Sequence, residues 1–201
     1  VTTAMTGLVP ELLSRLAKSH PDVRVSVTPG NSGELYERVN RGEMDAAIVI
    51  RPEFALAKAL EWRPIREEPL VVIAPAKAKG RDPLALLARE PFIRLSRDTA
   101  GGKLVDRFLR QAGIAPRERF EITSLFAITR LVDRGLGVSL VPDWPPPWPG
   151  GMKLRRIAVD STGFARAVGV VYHRASVRPG LMRAYLDAAE AVAAEKAVSP
   201  P

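Results

Sequence analysis

Four places in this chain put a hydroxyl or amide side chain where a helix is expected to begin: Thr2-Thr3, Asn31-Ser32, Thr99 and Thr123-Ser124. A helix start leaves backbone N–H groups unpaired and carries the positive end of the dipole. It therefore attracts anions, by roughly 0.3–1 kcal/mol when exposed. The same side chains cap the helix, worth about 1 kcal/mol, while their oxygens can also meet a ligand. Several such starts aimed at one cleft would hold a small polar molecule. Bond-breaking chemistry is poorly represented. His20 and His173 have no Asp or Glu at triad or metal spacing. Gly101-Gly102-Lys103 resembles the tail of a phosphate loop, but Arg97 stands where the frame needs glycine and Leu104 follows the lysine. No serine sits in a nucleophile elbow, and the chain has no cysteine for thiol chemistry, disulfides or metal. No catalytic residue, metal site or cofactor is expected.

The elements that must position those helix starts come as a repeat. Val39-Asn40-Arg41-Gly42 through Ile48-Val49 has an echo at Val132-Asp133-Arg134-Gly135 through Leu140-Val141. Each copy is a helix end, an Arg-Gly stop and a short apolar strand. A short alternating strand precedes each, Val23 to Thr28 and Glu118 to Ile122. Leu8, Val9, Leu12, Leu13, Leu16 and Ala17 recur at helical spacing, with Pro21 just beyond. Asn31 is a cap with Glu34 as its reciprocal partner. Pro69 to Ala74, Phe92 to Leu95 and Val168 to Tyr172 read as strands. Asp82-Pro83 opens a short helix. A further helix buries Leu104, Val105, Phe108 and Leu109, and Leu181 to Ala194 closes the chain. Such alternation predicts mostly parallel sheets covered by helices. Trp144 to Gly151, with its run of prolines, is expected to be a surface excursion.

Two strand–helix–strand units in 201 residues predict two similar α/β lobes with a ligand cleft between them. The net charge of +8 raises nucleic acid as a partner, but the 30 basic residues are interleaved with 22 acids and form no block. Solvated arginines account for that charge. No apolar run is long enough to span a bilayer, and Val1 to Pro10 has no signal-peptide pattern. The chain opens on Val, which reads as a fragment or a processed product. The absence of cysteine is compatible with a reducing cytoplasm.

A family resemblance rests on seven stretches. They are Gly7-Leu8-Val9-Pro10 with Leu12-Leu13, His20-Pro21-Asp22-Val23, Gly30-Asn31-Ser32 with Leu35, and Arg41-Gly42-Glu43-Met44-Asp45-Ala46-Ala47-Ile48. Pro91-Phe92-Ile93, Ala112-Gly113-Ile114, and Arg130-Leu131-Val132 with Gly135-Leu136-Gly137-Val138-Ser139-Leu140-Val141-Pro142 complete the set. In order and spacing they resemble the effector-binding domain of LysR-type transcriptional regulators, over almost the whole chain. The resemblance implies an α/β fold of two similar Rossmann-like lobes joined by two crossovers, like the type 2 periplasmic binding proteins. Crossovers near Ala74-Pro75 and Val159 to Ala165 would make residues 1–74 and 166–201 lobe I and residues 75–165 lobe II.

The resemblance also implies a cytoplasmic sensor that binds an inducer, often a small carboxylate or aromatic acid, between the lobes. Thr2-Thr3, with Thr3 at the start of the first helix, and Asn31 and Ser32 at the second would face it from lobe I. Arg97 to Thr99, Ser124 and the Val141-Pro142 end would face it from lobe II, and Arg51 and Arg97 would supply countercharge to an anion. Homodimers or homotetramers would form through Leu8 to Leu16 of one subunit and Lys103 to Arg110 of another. DNA would be reached only through an N-terminal winged helix-turn-helix that these residues do not include. The strand that precedes the threonine-rich turn in this family is at most Val1 here. A solute-binding protein of a transporter is the alternative, and an enzyme on this fold would need clustered acid–base groups that the sequence does not display.

Overall fold

The computed structural model describes residues 2–144 and 151–198. The chain divides into two compact units, one of residues 1–67 and 167–201, the other of residues 68–166. The chain passes between them inside two long strands, not in loops. The expected first crossover at Ala74-Pro75 marked only where the apolar run ends. Strand formation starts much earlier, in the mixed stretch from Leu60 onward.

In the first unit a 3-10 turn (Thr2–Thr6) leads into α1 (Leu8–Ser19), followed by α2 (Ser32–Asn40) and β1 (Ala46–Ile50). The unit is completed by the first part of β2 (Leu60–Pro75), most of β7 (Ala165–His173) and α6 (Pro179–Val198). β1 pairs antiparallel with β7, Ile48 opposite Val170. Side chains alternate across a strand, so the two faces of this pair bury different helices. Ala47, Val49 and Val171 pack on Leu35, Tyr36 and Val39 of α2. Ile48, Val168 and Val170 pack with Leu8 and Leu12 of α1 and Leu186 of α6.

The second unit contains the rest of β2, α3 (Pro83–Arg89), β3 (Pro91–Leu95), α4 (Ala100–Gln111), β4 (Arg117–Ile122), α5 (Leu125–Asp133), β5 (Ser139–Pro142) and β6 (Leu154–Ala158). β2 pairs antiparallel with both β5 and β6, while β3 and β4 run parallel. The two-face rule holds here too. Leu70, Val72 and Ala74 of β2 join Leu104, Val105 and Phe108 of α4 in one core, and Val71 and Ile73 join Ile128 and Val132 of α5 in the other.

The repeat is real at the level of backbone. Glu43 N–H donates to Arg38 O and Gly42 N–H to Val39 O after α2. Leu136 N–H to Leu131 O and Gly135 N–H to Val132 O match them after α5. Both glycines have left-handed φ, 72° and 74°, which is why the stop is glycine each time.

Three expectations are corrected. The pairings among the described residues are mostly antiparallel, not parallel: β7 with β1, and β5 and β6 with β2. Val23 to Thr28 forms no strand, since nothing among the described residues pairs with it. Trp144 is not on a surface excursion: it is fully buried, edge-on to Phe126 at 6.0 Å between ring centroids. Residues 145–150, the rest of that proline-rich stretch, lie outside the described residues.

Candidate functional site

The helix starts are built largely as the residue types imply. Asn31 Oδ1 accepts from Glu34 N–H at 2.8 Å. Glu34 does not return the bond to backbone; its carboxylate accepts from the Asn31 side-chain amide at 3.4 Å. Ser32 does something the sequence did not indicate: its Oγ accepts from Ile50 N–H at 3.1 Å, tying the start of α2 to the end of β1. Arg51, the next residue, donates its backbone N–H to Ala167 O at 2.9 Å and lays its guanidinium 5.7 Å from the Trp62 ring centroid. The first helix departs from expectation. Thr2 and Thr3 lie in the 3-10 turn, α1 is capped at Gly7 without a side-chain bond, and Thr3 is buried.

The start of α4 is the most elaborated. Thr99 Oγ1 accepts from Gly102 N–H at 2.9 Å and donates to Ser96 O at 2.8 Å. A Cβ on Gly102 would lie 1.9 Å from Ser96 O, so glycine is required for the helix to approach the turn this closely. The Gly-Gly pair therefore serves packing, not a phosphate loop. Gly101 is buried, and a Cβ there would lie 3.6 Å from Pro142 and 4.0 Å from an Arg166 terminal nitrogen. Thr99, Pro142 at the end of β5 and Arg166 thus meet around one helix start. Val141 and Pro142 are themselves buried and pair with Val71 and Leu70. Ser124 Oγ caps α5 through Ala127 N–H at 3.3 Å.

Two arginines divide differently from expectation. Arg97 is held by acids: its guanidinium donates to Glu118 at 2.7 Å and to Glu121 at 3.0 Å, and its backbone N–H donates to Glu121. The bond to Glu118 raises the Arg97 pKa above its ordinary value. Glu118 is lowered, first by its bond from Arg94 and then by Arg97. Glu121 is lowered by the Arg97 backbone bond above all. A cation this well compensated offers little net charge to an anion. Sequence reasoning passed over Arg166, only 6% exposed, which donates through Nε to Glu68 at 2.5 Å. Its signal was available, as an arginine set in the apolar run Ala165 to Val171. The histidines take structural roles: His173 Nε2 lies 2.9 Å from Val39 O, and His20 caps the end of α1. No group of three or more potential metal ligands occurs among the described residues.

This architecture, two α/β units joined by paired strands, is that of the type 2 periplasmic-binding-protein-like effector domains. It matches the Synechocystis CcmR regulatory domain in complex with 2-PG with a TM-score of 0.79 at 24% identity, over 96% of this chain and 93% of that one. The effector-binding domain of QuiR in complex with shikimate matches with a TM-score of 0.73 at 20% identity, over 93% and 90%. The LysR substrate binding domain family matches residues 1–194, and the chain belongs to that family. Among curated relatives, the HTH-type transcriptional regulator IlvR of Caulobacter vibrioides is 32% identical over 71% of this chain and 50% of its own length. YybE of Bacillus subtilis, an uncharacterized HTH-type transcriptional regulator, is 29% identical over 85% and 58%. The chain thus spans about half the length of these relatives. It is an effector-binding regulatory domain of a LysR-type regulator. No helix among the described residues is long and apolar enough to cross a membrane.

Proposed function

We propose that this domain senses a small anionic effector, a carboxylate or aromatic acid, in the cytoplasm. Occupancy is passed through a homodimer or homotetramer to DNA-binding parts elsewhere in a longer protein. The observation that carries this reading is the start of α4, where the half-buried Thr99, the buried Gly101 and the Arg166 guanidinium, itself paired with Glu68, lie together. Such a start supplies donors and positive potential to an anion. Asn31, Ser32 and Ser124 add capped helix starts of the same type, and Arg51 adds a cation. The pairing of related domains with shikimate and with 2-PG favours a small, oxygen-rich ligand. The transport alternative is not favoured, because the curated relatives carry regulator descriptions.

A thermal-shift screen against small carboxylates and aromatic acids tests the proposal. A ligand at a hundred times its Kd adds about 2.7 kcal/mol, a rise of roughly 5–10 °C at this size. Thr99→Ala and Ser124→Ala lower the basal melting temperature and should also abolish most of the ligand-induced rise. A ligand-induced rise that survives in both variants would place the effector elsewhere.

A further inference from the structure

The net charge of +8 is not evenly shared. Residues 68–166 hold 17 lysines and arginines against 10 acids, a net charge of +7, while residues 1–67 and 167–201 hold 13 against 12, which is +1. Within the second unit the cations differ in how far their charge is spent. Arg94, Arg97 and Arg110 share Asp106, Glu118 and Glu121, and Arg156 is paired with Asp143. The loop that follows β2 is different. Lys77, Lys79 and Arg81 are exposed there, and so is Lys153, just ahead of β6, whose carbonyl accepts from Ala76 N–H at 3.0 Å. None of these four side chains forms an ion pair among the described residues. Arg155 of β6 anchors the loop. Its guanidinium donates to Ala78 O at 2.7 Å and to Gly80 O at 2.9 Å, which sets a fifth positive charge against it. The two nearby acids are used locally: Asp82 accepts from Leu84 N–H and Ala85 N–H as the cap of α3, and Asp133 accepts from Lys153 N–H.

Exposed lysines do not enclose a small anion, which asks for a concave pocket with a few fixed donors. A polyanion asks only for a stretch of positive charge, because its affinity comes from counterions released as each phosphate is neutralised. Duplex DNA has that charge density. On the reading above, that this domain works beside DNA-binding parts of a longer protein, DNA is also the polyanion held near it. We propose that Lys77, Lys79, Arg81 and Lys153, with the loop anchored by Arg155, form a contact surface for the phosphate backbone of duplex DNA. The domain then touches DNA itself, alongside the parts that read its sequence. The contact carries no sequence information, since phosphate contacts position a protein without specifying bases. A handful of such contacts is weak in isolation. Tethering makes them count, because a second site on one molecule acts at an effective concentration on the order of millimolar.

Fluorescence anisotropy with a labelled duplex of arbitrary sequence tests this. The 201-residue chain should bind at low salt, with the logarithm of its affinity falling linearly against the logarithm of salt concentration. Lys77→Glu/Lys79→Glu should weaken binding by about 10-fold or more and flatten that slope by roughly 0.9 for each phosphate contact removed. Arg178→Glu/Arg183→Glu is the matched control. It makes the same change in net charge at exposed cations of the first unit that form no ion pair among the described residues, and should leave affinity and slope near the parent's. No binding at low salt, or equal losses in the two variants, would overturn the proposal. Poly-glutamate that competes as well as unlabelled duplex at matched charge would assign the surface to acidic polypeptide and overturn the choice of DNA. The full-length protein separates this contact from the reading it rests on. If it binds no DNA at all, that reading falls and the choice of DNA with it. If it binds and Lys77→Glu/Lys79→Glu keeps the parent's salt slope, only the contact surface falls.

Discussion

Gly102→Ala tests the construction of the α4 start directly. The new methyl carbon would meet Ser96 O at 1.9 Å and Leu95 O at 2.7 Å, both backbone atoms that no rotamer change can move. The first contact must open to at least 3.0 Å, so the first turn of α4 has to retreat from the Ser96 turn. Thr99 bridges that gap through its bonds to Gly102 N–H and Ser96 O, and retreat breaks or stretches both. Overpacking costs about 1–3 kcal/mol, and each hydrogen bond lost adds roughly 0.5–1.5 kcal/mol. The gain from replacing glycine by alanine in a helix returns only about 0.5–1 kcal/mol. The net expectation is a loss of about 2–4 kcal/mol, or roughly 4–15 °C. Gly180→Ala is the control: it too lies in a helix, but a Cβ there meets nothing within 4 Å. Urea titration followed by tryptophan fluorescence measures both. Thr99→Ala/Gly102→Ala should cost less than the sum of the singles, because both changes remove the same bonds. A Gly102→Ala midpoint indistinguishable from the parent, or strict additivity with Thr99→Ala, would refute the close approach.

Three further outcomes are expected. Ser32→Ala should cost about 1–3 kcal/mol in urea titration by leaving Ile50 N–H without its acceptor, while Asn31 still caps α2; a neutral result would mean water replaces the hydroxyl. Trp144→Ala should cost about 3–5 kcal/mol, since the fully buried indole packs edge-on to Phe126, and a loss within the range of surface substitutions would contradict its burial. Glu118 has a lowered folded pKa, so its contribution to stability is complete above the ordinary glutamate value of 4.5 and fades as pH falls through the lowered value. Glu118→Gln should therefore destabilise at neutral pH and flatten the acid limb of a stability–pH profile. An unchanged acid limb would show that the bonds from Arg94 and Arg97 do not favour the ionised form.

The elements that were legible in sequence are those whose signals are local. Glycine at 42 and at 135 announces a left-handed stop, and Asp82-Pro83 and Thr99 announce helix starts, because each depends on residues within one turn. β1, β3 and β7 were legible because they are apolar and bounded. The early part of β2 and all of β6 were not. Leu60 to Glu68 and Leu154 to Ala158 mix charged and apolar residues, and their strand state follows from partners that alternation alone does not name. Val23 to Thr28 shows the converse, a strand pattern without a pairing strand among the described residues.

The site residues divide along the same line. Caps could be assigned in sequence because the bond is made three residues away: Asn31 to Glu34, Thr99 to Gly102, Ser124 to Ala127. Long-range partners decide everything else. Ser32 spends its hydroxyl eighteen residues away on Ile50, and Arg97 spends its charge on Glu118 and Glu121 of β4. Arg166 finds Glu68 ninety-eight residues back. What distinguishes Arg97 from Arg166 is therefore invisible to spacing. The first is 43% exposed with carboxylates on both sides, while the second is nearly buried beside the Gly101 start and held by the buried Glu68. Each is compensated by carboxylates, so the charge that α4 offers an anion comes first from its own helix start, and Arg166→Ala would also leave the buried Glu68 carboxylate without this partner.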